Sequence, residues 1–173
     1  MSPRAAWRLE TMGFTPVHDY VAGKQDWLAA GLPREGQIAG LPRAADVARA
    51  DVPTCGLDEL VGEARKRVHE ADWEECVVVN DERIVFGLLR ANQLEQADDG
   101  DVVADVMQPG PSTFRPHVHI EEMARFMARH DLDSSPVTTS DGVLIGMLLR
   151  GDAEAATHRL HQQLGAEHEQ EER

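Results

Sequence analysis

The sequence predicts an α/β fold made of two β-α-β-β-α units in a pseudo-twofold arrangement. Three observations predict it. The segment from Thr54 to Ala97 falls on that from Thr113 to Ala156 at a constant offset of 59 residues, without a gap. In each copy an apolar pattern with helical spacing precedes two short β-rich runs. A short turn joins those two runs, as in a hairpin.

At that offset Thr54 lands on Thr113, Glu63 on Glu122, Asp72 on Asp131, Val78 on Val137, Gly87 on Gly146, Leu89 on Leu148 and Glu95 on Glu154. The apolar pattern also survives, with Val61 on Ile120, Val68 on Met127, Ile84 on Val143 and Val85 on Leu144. A repeat of this period implies paired or stacked copies of one supersecondary unit.

Each element is read in order. A short extended piece comes first, Val52–Cys55 in one copy and Ser112–Phe114 in the other. A helix follows, carrying Leu57, Leu60, Val61, Ala64 and Val68, or Ile120, Met123, Ala124 and Met127, at i, i+3, i+4, i+7 spacing. Asp58 is placed as its N-cap or first-turn acid. Next comes a strand, Cys76–Val79 or Pro136–Thr139, then a turn over Asn80–Arg83 or Ser140–Gly142, then a strand over Ile84–Leu89 or Val143–Leu149. A second helix begins near Asn92 or Asp152, both good cap residues. One copy cannot bury both faces of its three short strands and two helices, so the two must pack together.

Flanking segments differ. Residues 34–50, rich in Gly, Pro and Ala, read as a linker; Asp98–Val106 connects the repeats, and Gln108–Pro111 reads as a turn. From His158 the chain is polar and acidic, a tail that extends the last helix and frays.

Composition bounds the function. At 173 residues the chain is one domain, or one with an appendage, and 42% apolar residues suffice for a core. Aromatics are 5%, so that core is mostly aliphatic. A net charge of −14, part of it in the last few residues, argues against nucleic acid or an anionic membrane surface as partner. Cys55 and Cys76 fit reduced core residues better than a metal site or disulfide. With no 18-residue apolar run and no signal-like N-terminus, a cytoplasmic protein is expected.

The order β-α-β-β-α, the Asp-Val-Met-x-Pro-Gly lead-in at Asp105–Gly110, Ser-Pro-Val at Ser135–Val137 and the run from Gly146 to Asp152 resemble CBS (cystathionine-β-synthase-type) domains. The resemblance covers about residues 50–156, with repeats at 51–98 and 105–157. It implies a regulatory module, not an enzyme, binding an adenosine-containing ligand (AMP, ADP, ATP or S-adenosylmethionine) between the repeats, with no obligatory cofactor. In that family an Asp on the last helix of a repeat holds the ribose hydroxyls, and a Ser or Thr three residues earlier contacts phosphate. A carboxylate accepts two hydroxyl donors, and a helix N-terminus favours an anion.

Carried over, Asp152 takes the ribose position of the second repeat. Leu149 stands where the hydroxyl residue should be, with Arg150 beside it able to meet a phosphate. In the first repeat the same positions are Gln93 and Arg90. Thr113 and the Ser135-Pro136-Val137 strand complete the implied site. The alternative for Asp152 is a helix N-cap that binds nothing, and for the molecule a structural scaffold with a decayed site. Leu57, Val61, Met123 and Met127 are expected on exposed helix faces suited to a homodimer.

Residues 1–36 carry a second resemblance. Ser2–Ala6 into Leu9, Met12-Gly13-Phe14 through Val17, Asp19, Tyr20 and Gly23, and Trp27–Pro33 look like the last third of a rhodanese domain, with 37–50 as linker. The sulfur-carrying Cys of that family precedes the first of these helices. Neither Cys55 nor Cys76 stands there, so sulfurtransferase activity is not expected, and a capping or dimer-contact role is. The pairs His117/His119 and His158/His161 read as surface residues, because no carboxylate or Cys accompanies them at metal-ligand spacing. Trp7, Trp27 and Trp73 read as core or interface anchors. Glu59, Glu63, Glu121 and Glu122 read as solvent-face acids, not a hydrolytic pair.

Overall fold

A computed structural model describes residues 2–18, 20, 27–28, 30, 32–33 and 40–171. The elements are α1 (Ser2–Thr11), α2 (Ala44–Val47), β1 (Thr54–Cys55), α3 (Val61–Glu70), β2 (Cys76–Val79), β3 (Val85–Leu89), α4 (Ala91–Gln96), α5 (Val103–Val106), β4 (Gln108–Pro109), α6 (Ile120–Arg129), β5 (Ser134–Thr138), β6 (Leu144–Leu149) and α7 (Arg150–Glu171).

Each repeat centres on an antiparallel hairpin, β2–β3 or β5–β6, with one register irregularity at the equivalent step, Val78/Val79 and Val137/Thr138. Every residue of β2 and β5 is buried, as a strand covered on both faces requires. In the first repeat β1 joins β2 in parallel and β4 joins β3 antiparallel, giving the order β1-β2-β3-β4. The second repeat has the same neighbours as single bridges, Phe114 to Val137 and Arg49 to Met147.

The repeats exchange their leading arms. Val103, at the start of α5, donates its N–H to Glu59, and Val61 donates to Asp101, so the arm of the second repeat packs on the first. Ala44 donates to Val118 and Ile120 to Pro42, the same two bonds with the repeats interchanged. Arm backbone crosses each hairpin closely: a Cβ on Gly87 would lie 2.8 Å from the Gln108 carbonyl oxygen, and one on Gly146 2.6 Å from that of Arg49. Only glycine fits there, which accounts for the Gly shared by both copies. On the pseudo-dyad Ile84 pairs with Val143, while Val85 donates to the Gly142 carbonyl and Leu144 to that of Arg83.

Residues 44–50 are therefore an arm and not a linker. Their offset by 59 places Ala45-Asp46-Val47 on Ala104-Asp105-Val106, so the duplication extends a further ten residues toward the N-terminus. Likewise Gln108–Pro109 forms an edge strand instead of a turn, Pro being tolerated where no ladder donor is needed.

The first long helix begins later than expected, while its counterpart in the second repeat starts at Ile120, the first residue expected of it. α3 starts at Val61 after an extended Leu60, so Asp58 lies in the preceding turn and does not cap it. Glu59 shares that turn, half-buried, accepting from the Gly56 N–H at 2.8 Å and from Arg67 at 2.9 Å. That bond holds the Arg67 guanidinium above its usual pKa. Both α3 and α6 end on an aspartate in left-handed conformation, Asp72 (φ 56°) and Asp131 (φ 50°). Asp tolerates that conformation better than most residues, and the next N–H (Trp73 or Leu132) closes on the helix at Val68 or Met127.

The core has one cluster per repeat and a third between the hairpins. Val61, Ala64 and Val68 pack with β2 and β3, while Ile120, Met123, Ala124 and Met127 pack with Ala44, Val137, Leu148, Ala153 and Ala156. Val52, Val77, Leu88, Leu144 and Met147 join the two hairpins. Val61, Met123 and Met127 are thus core residues of their own chain, and Leu57 packs partly against that core. They do not form the exposed dimer face expected from the sequence. Helical periodicity identifies an inward face, but here the repeat's own hairpin, with one residue of the other repeat's arm (Val103 or Ala44), already covers it. Each such side chain contributes about 1.5–3 kcal/mol by leaving water.

Cys55 and Cys76 are free thiols, both buried, with sulfurs 3.1 Å apart. The Cys55 contact and burial push the Cys76 thiol well above its usual range. Trp7 is 64% exposed on α1, so it anchors no core of this chain. Trp27 donates its indole N–H to Pro33 at 2.8 Å and meets Tyr20 edge-on. The strand and turn read over residues 12–23 and the helix over 27–33 lie partly outside the described residues.

Candidate functional site

The two hairpins meet on the pseudo-dyad, and a cleft of about 580 Å³ opens between the repeats there. That volume suits a small molecule. Its floor and walls come from both copies: Arg49 on the first arm, the residues after α3 from Asp72 to Glu75, Arg90–Asn92 at the start of α4, and Asp133, Ser134 and Leu149 from the second repeat. Arg90 and Leu149 are equivalent positions in the two copies, so the cleft holds both places expected to meet a phosphate.

The floor is a polar network. Arg90 donates to Glu75 at 3.2 Å, to the Ser134 hydroxyl at 3.0 Å and to the Gln108 side chain at 3.2 Å. Glu75 and Ser134 are both buried, so this network ties the repeats together with its polar groups satisfied. Gln93 does not reach the cleft: its side-chain oxygen accepts the Arg90 backbone N–H at 3.2 Å and caps α4.

Asp152 stands in the first turn of α7, two residues inside its start. Its carboxylate accepts both donors of Arg49, at 2.6 and 3.0 Å, a bidentate pair linking residues 103 apart in sequence. The bond raises the Arg49 pKa above its usual value, with the Asp152 charge as the second cause. Arg49 also lies 5.9 Å from the Trp73 ring centre, within cation–π range. Arg150 pairs with Asp131 at 3.2 Å and with Asp133. Asp152 is therefore neither a solitary cap nor an open carboxylate.

The structure brings Arg90, Leu149, Arg150 and Asp152 to one region and adds Arg49 and Trp73. The remaining expected residues are elsewhere. Thr113 is exposed on the lead-in to the second repeat. Ser135, buried in β5, donates its hydroxyl to the Ser112 carbonyl at 2.7 Å. Pro136 and Val137 are buried; Phe114, bridged to Val137, donates its N–H to the Pro136 carbonyl and accepts from the Thr138 N–H. Arg49 was not found from sequence because the offset places Gln108 opposite it; the only signal was its location just inside the crossing arm.

Other candidates are set by their surroundings. His117 is half-buried, and that burial first, then Arg43 and Arg115, lowers its pKa from the usual 6.5. His158 and His161 are exposed on α7, and among the described residues no three His, Cys, Asp or Glu side chains cluster as metal ligands. No helix of the described residues is long and apolar enough to cross a membrane.

Residues 103–156 match the CBS domain family model. The chain is 29% identical over 111 residues to inosine-5'-monophosphate dehydrogenase of Korarchaeum cryptofilum (strain OPF8), a match covering 64% of this chain and 23% of that protein. It is 40% identical over 53 residues to the chloroplastic CBS domain-containing protein CBSX2 of Arabidopsis thaliana, covering 31% of this chain and 22% of that one. The chain thus spans less than a quarter of the length of these curated relatives. Its fold is that of solved CBS pairs. CBSX2 in complex with AMP superposes with a TM-score of 0.62 at 23% identity, covering 69% of this chain and 98% of that one. The cytosolic domain of the Mg2+ channel MgtE in complex with ATP gives 0.61 at 25% identity, covering 66% and 48%. None of these likenesses supports the rhodanese-like reading of residues 1–36.

Proposed function

We propose that this chain is a regulatory CBS-pair module that binds an adenosine-containing ligand in the cleft between its repeats and acts through a homodimer or a partner protein. One observation carries the reading: the exchanged arms bring Arg90, Leu149 and Arg49 to one cleft, with Asp152 held at its edge by Arg49. Solved CBS pairs holding AMP or ATP support it. The repeats are best bounded at 44–97 and 103–156, because each arm belongs to the unit that follows it. Asp152 would take the ribose hydroxyls, and Trp73 with Leu149 would offer apolar surface to the base.

A ligand would draw on the Arg49–Asp152 pair, since both groups stand where its polar atoms would lie. That same pair favours a second reading, an interaction scaffold in which Arg49 and Asp152 hold the repeats together and no ligand enters. Isothermal titration separates the two. Binding of AMP, ATP or S-adenosylmethionine, weakened at least tenfold by Asp152→Ala, is the expected result. No heat from any of them at millimolar concentration would contradict the ligand-sensing function and leave the scaffold.

A further inference from the structure

Resting on that reading of the cleft, we infer that the site selects an adenosine-containing ligand of little or no negative charge, the nucleoside or its S-adenosyl sulfonium ahead of AMP, and AMP ahead of ATP. The first ground is the residue at the phosphate position. Leu149 faces the cleft with an alkyl group that offers no donor, and leaving a phosphate oxygen against it strands a desolvated charge.

The second ground is the commitment of every guanidinium in the region. Arg49 is bidentate with Asp152, Arg90 is held by Glu75, Ser134 and Gln108, and Arg150 by Asp131 and Asp133. These bonds occupy Nε and one Nη of Arg49 and of Arg90 and both Nη of Arg150, so no guanidinium offers a phosphate a wholly free bidentate edge. Recruiting one uncovers the carboxylate it was neutralising.

The third ground is the sum of charges. Two guanidiniums, Arg49 and Arg90, and four carboxylates, Asp72, Glu74, Glu75 and Asp133, line the cleft, and the ion-pair partners just outside it, Arg150 with Asp131 and Asp152, add one more negative charge than positive. If ribose hydroxyls displaced Arg49 from Asp152, the freed cation would still sit in a field whose balance is negative. A like charge brought into such a cleft is opposed, and a cationic sulfonium is favoured. The whole chain, at −14, adds to the same sign. Trp73 suits the same ligand, presenting an aromatic ring to the base without asking for an anion.

The test measures dissociation constants of the intact chain for adenosine, S-adenosylmethionine, AMP and ATP by isothermal titration, in magnesium-free buffer at low ionic strength. Adenosine and S-adenosylmethionine are expected to bind at least tenfold more tightly than AMP, and AMP more tightly than ATP. Glu74→Gln, which removes one exposed wall charge without touching the Arg90 network, is expected to narrow the gap between S-adenosylmethionine and AMP. AMP or ATP binding as tightly as S-adenosylmethionine, or an unchanged gap in Glu74→Gln, would overturn the inference while leaving the nucleotide-sensing function standing. Failure of all four to bind would overturn both.

Discussion

His117 shows how single residues in this chain are governed by their neighbours. Its imidazole is half-buried, and that burial first, then the charges of Arg43 and Arg115, lowers its pKa from the usual 6.5. The unfolded chain therefore binds the proton more readily than the folded one. The neutral imidazole contributes stability that is fully present above pH 6.5 and is lost as the pH falls toward the depressed folded value. In His117→Gln the stability measured by urea unfolding should fall less steeply as the pH drops below 6.5. Equal slopes in the two proteins would show that this site does not set the acid limb. At the same scale, sequence reading singled out Asp152, Leu149 and Arg90 but not what they touch. Asp152 meets Arg49 across 103 residues, a pairing that no local spacing encodes.

The two hairpins and the two long helices were legible because their periodicities run over enough residues to be seen. The helices α2 and α5 were not, because four residues show no period. Only the continuing 59-residue offset marks them, through Ala45-Asp46-Val47 and Ala104-Asp105-Val106. The arms are what make the pair one unit, and Gly87 and Gly146 are where they cross the hairpins. Gly146→Ala places a methyl group 2.6 Å from the Arg49 carbonyl oxygen, against backbone that cannot swing aside. A loss of about 1–3 kcal/mol in urea unfolding is expected, the usual cost of overpacking. Gly151→Ala, with open space around the added carbon, is the matched control and should cost nothing or stabilise the helix start. Equal effects of the two substitutions would contradict the close crossing of the arm.

Over the whole molecule, duplication produces symmetry in the frame and asymmetry in the cleft. Both copies supply the same hairpin, arm and helix, yet the position of Arg90 in one is that of Leu149 in the other, and the position of Arg49 is that of Gln108. Divergence at those positions gives one polar, committed half and one half with an apolar wall. The pseudo-twofold fold was readable in the sequence, since it follows from the offset alone. The character of the cleft was not, since it depends on which non-equivalent residues the exchange of arms brings together. The direct measurement is a map of backbone amide chemical shifts on titrating the labelled chain with S-adenosylmethionine and, separately, with AMP. Shifts centred on Arg49, Trp73, Arg90 and the Leu149–Asp152 segment are expected with at least one of them. No shift with either ligand, or shifts confined to a distant surface such as the one around Phe126, would contradict a ligand site between the repeats.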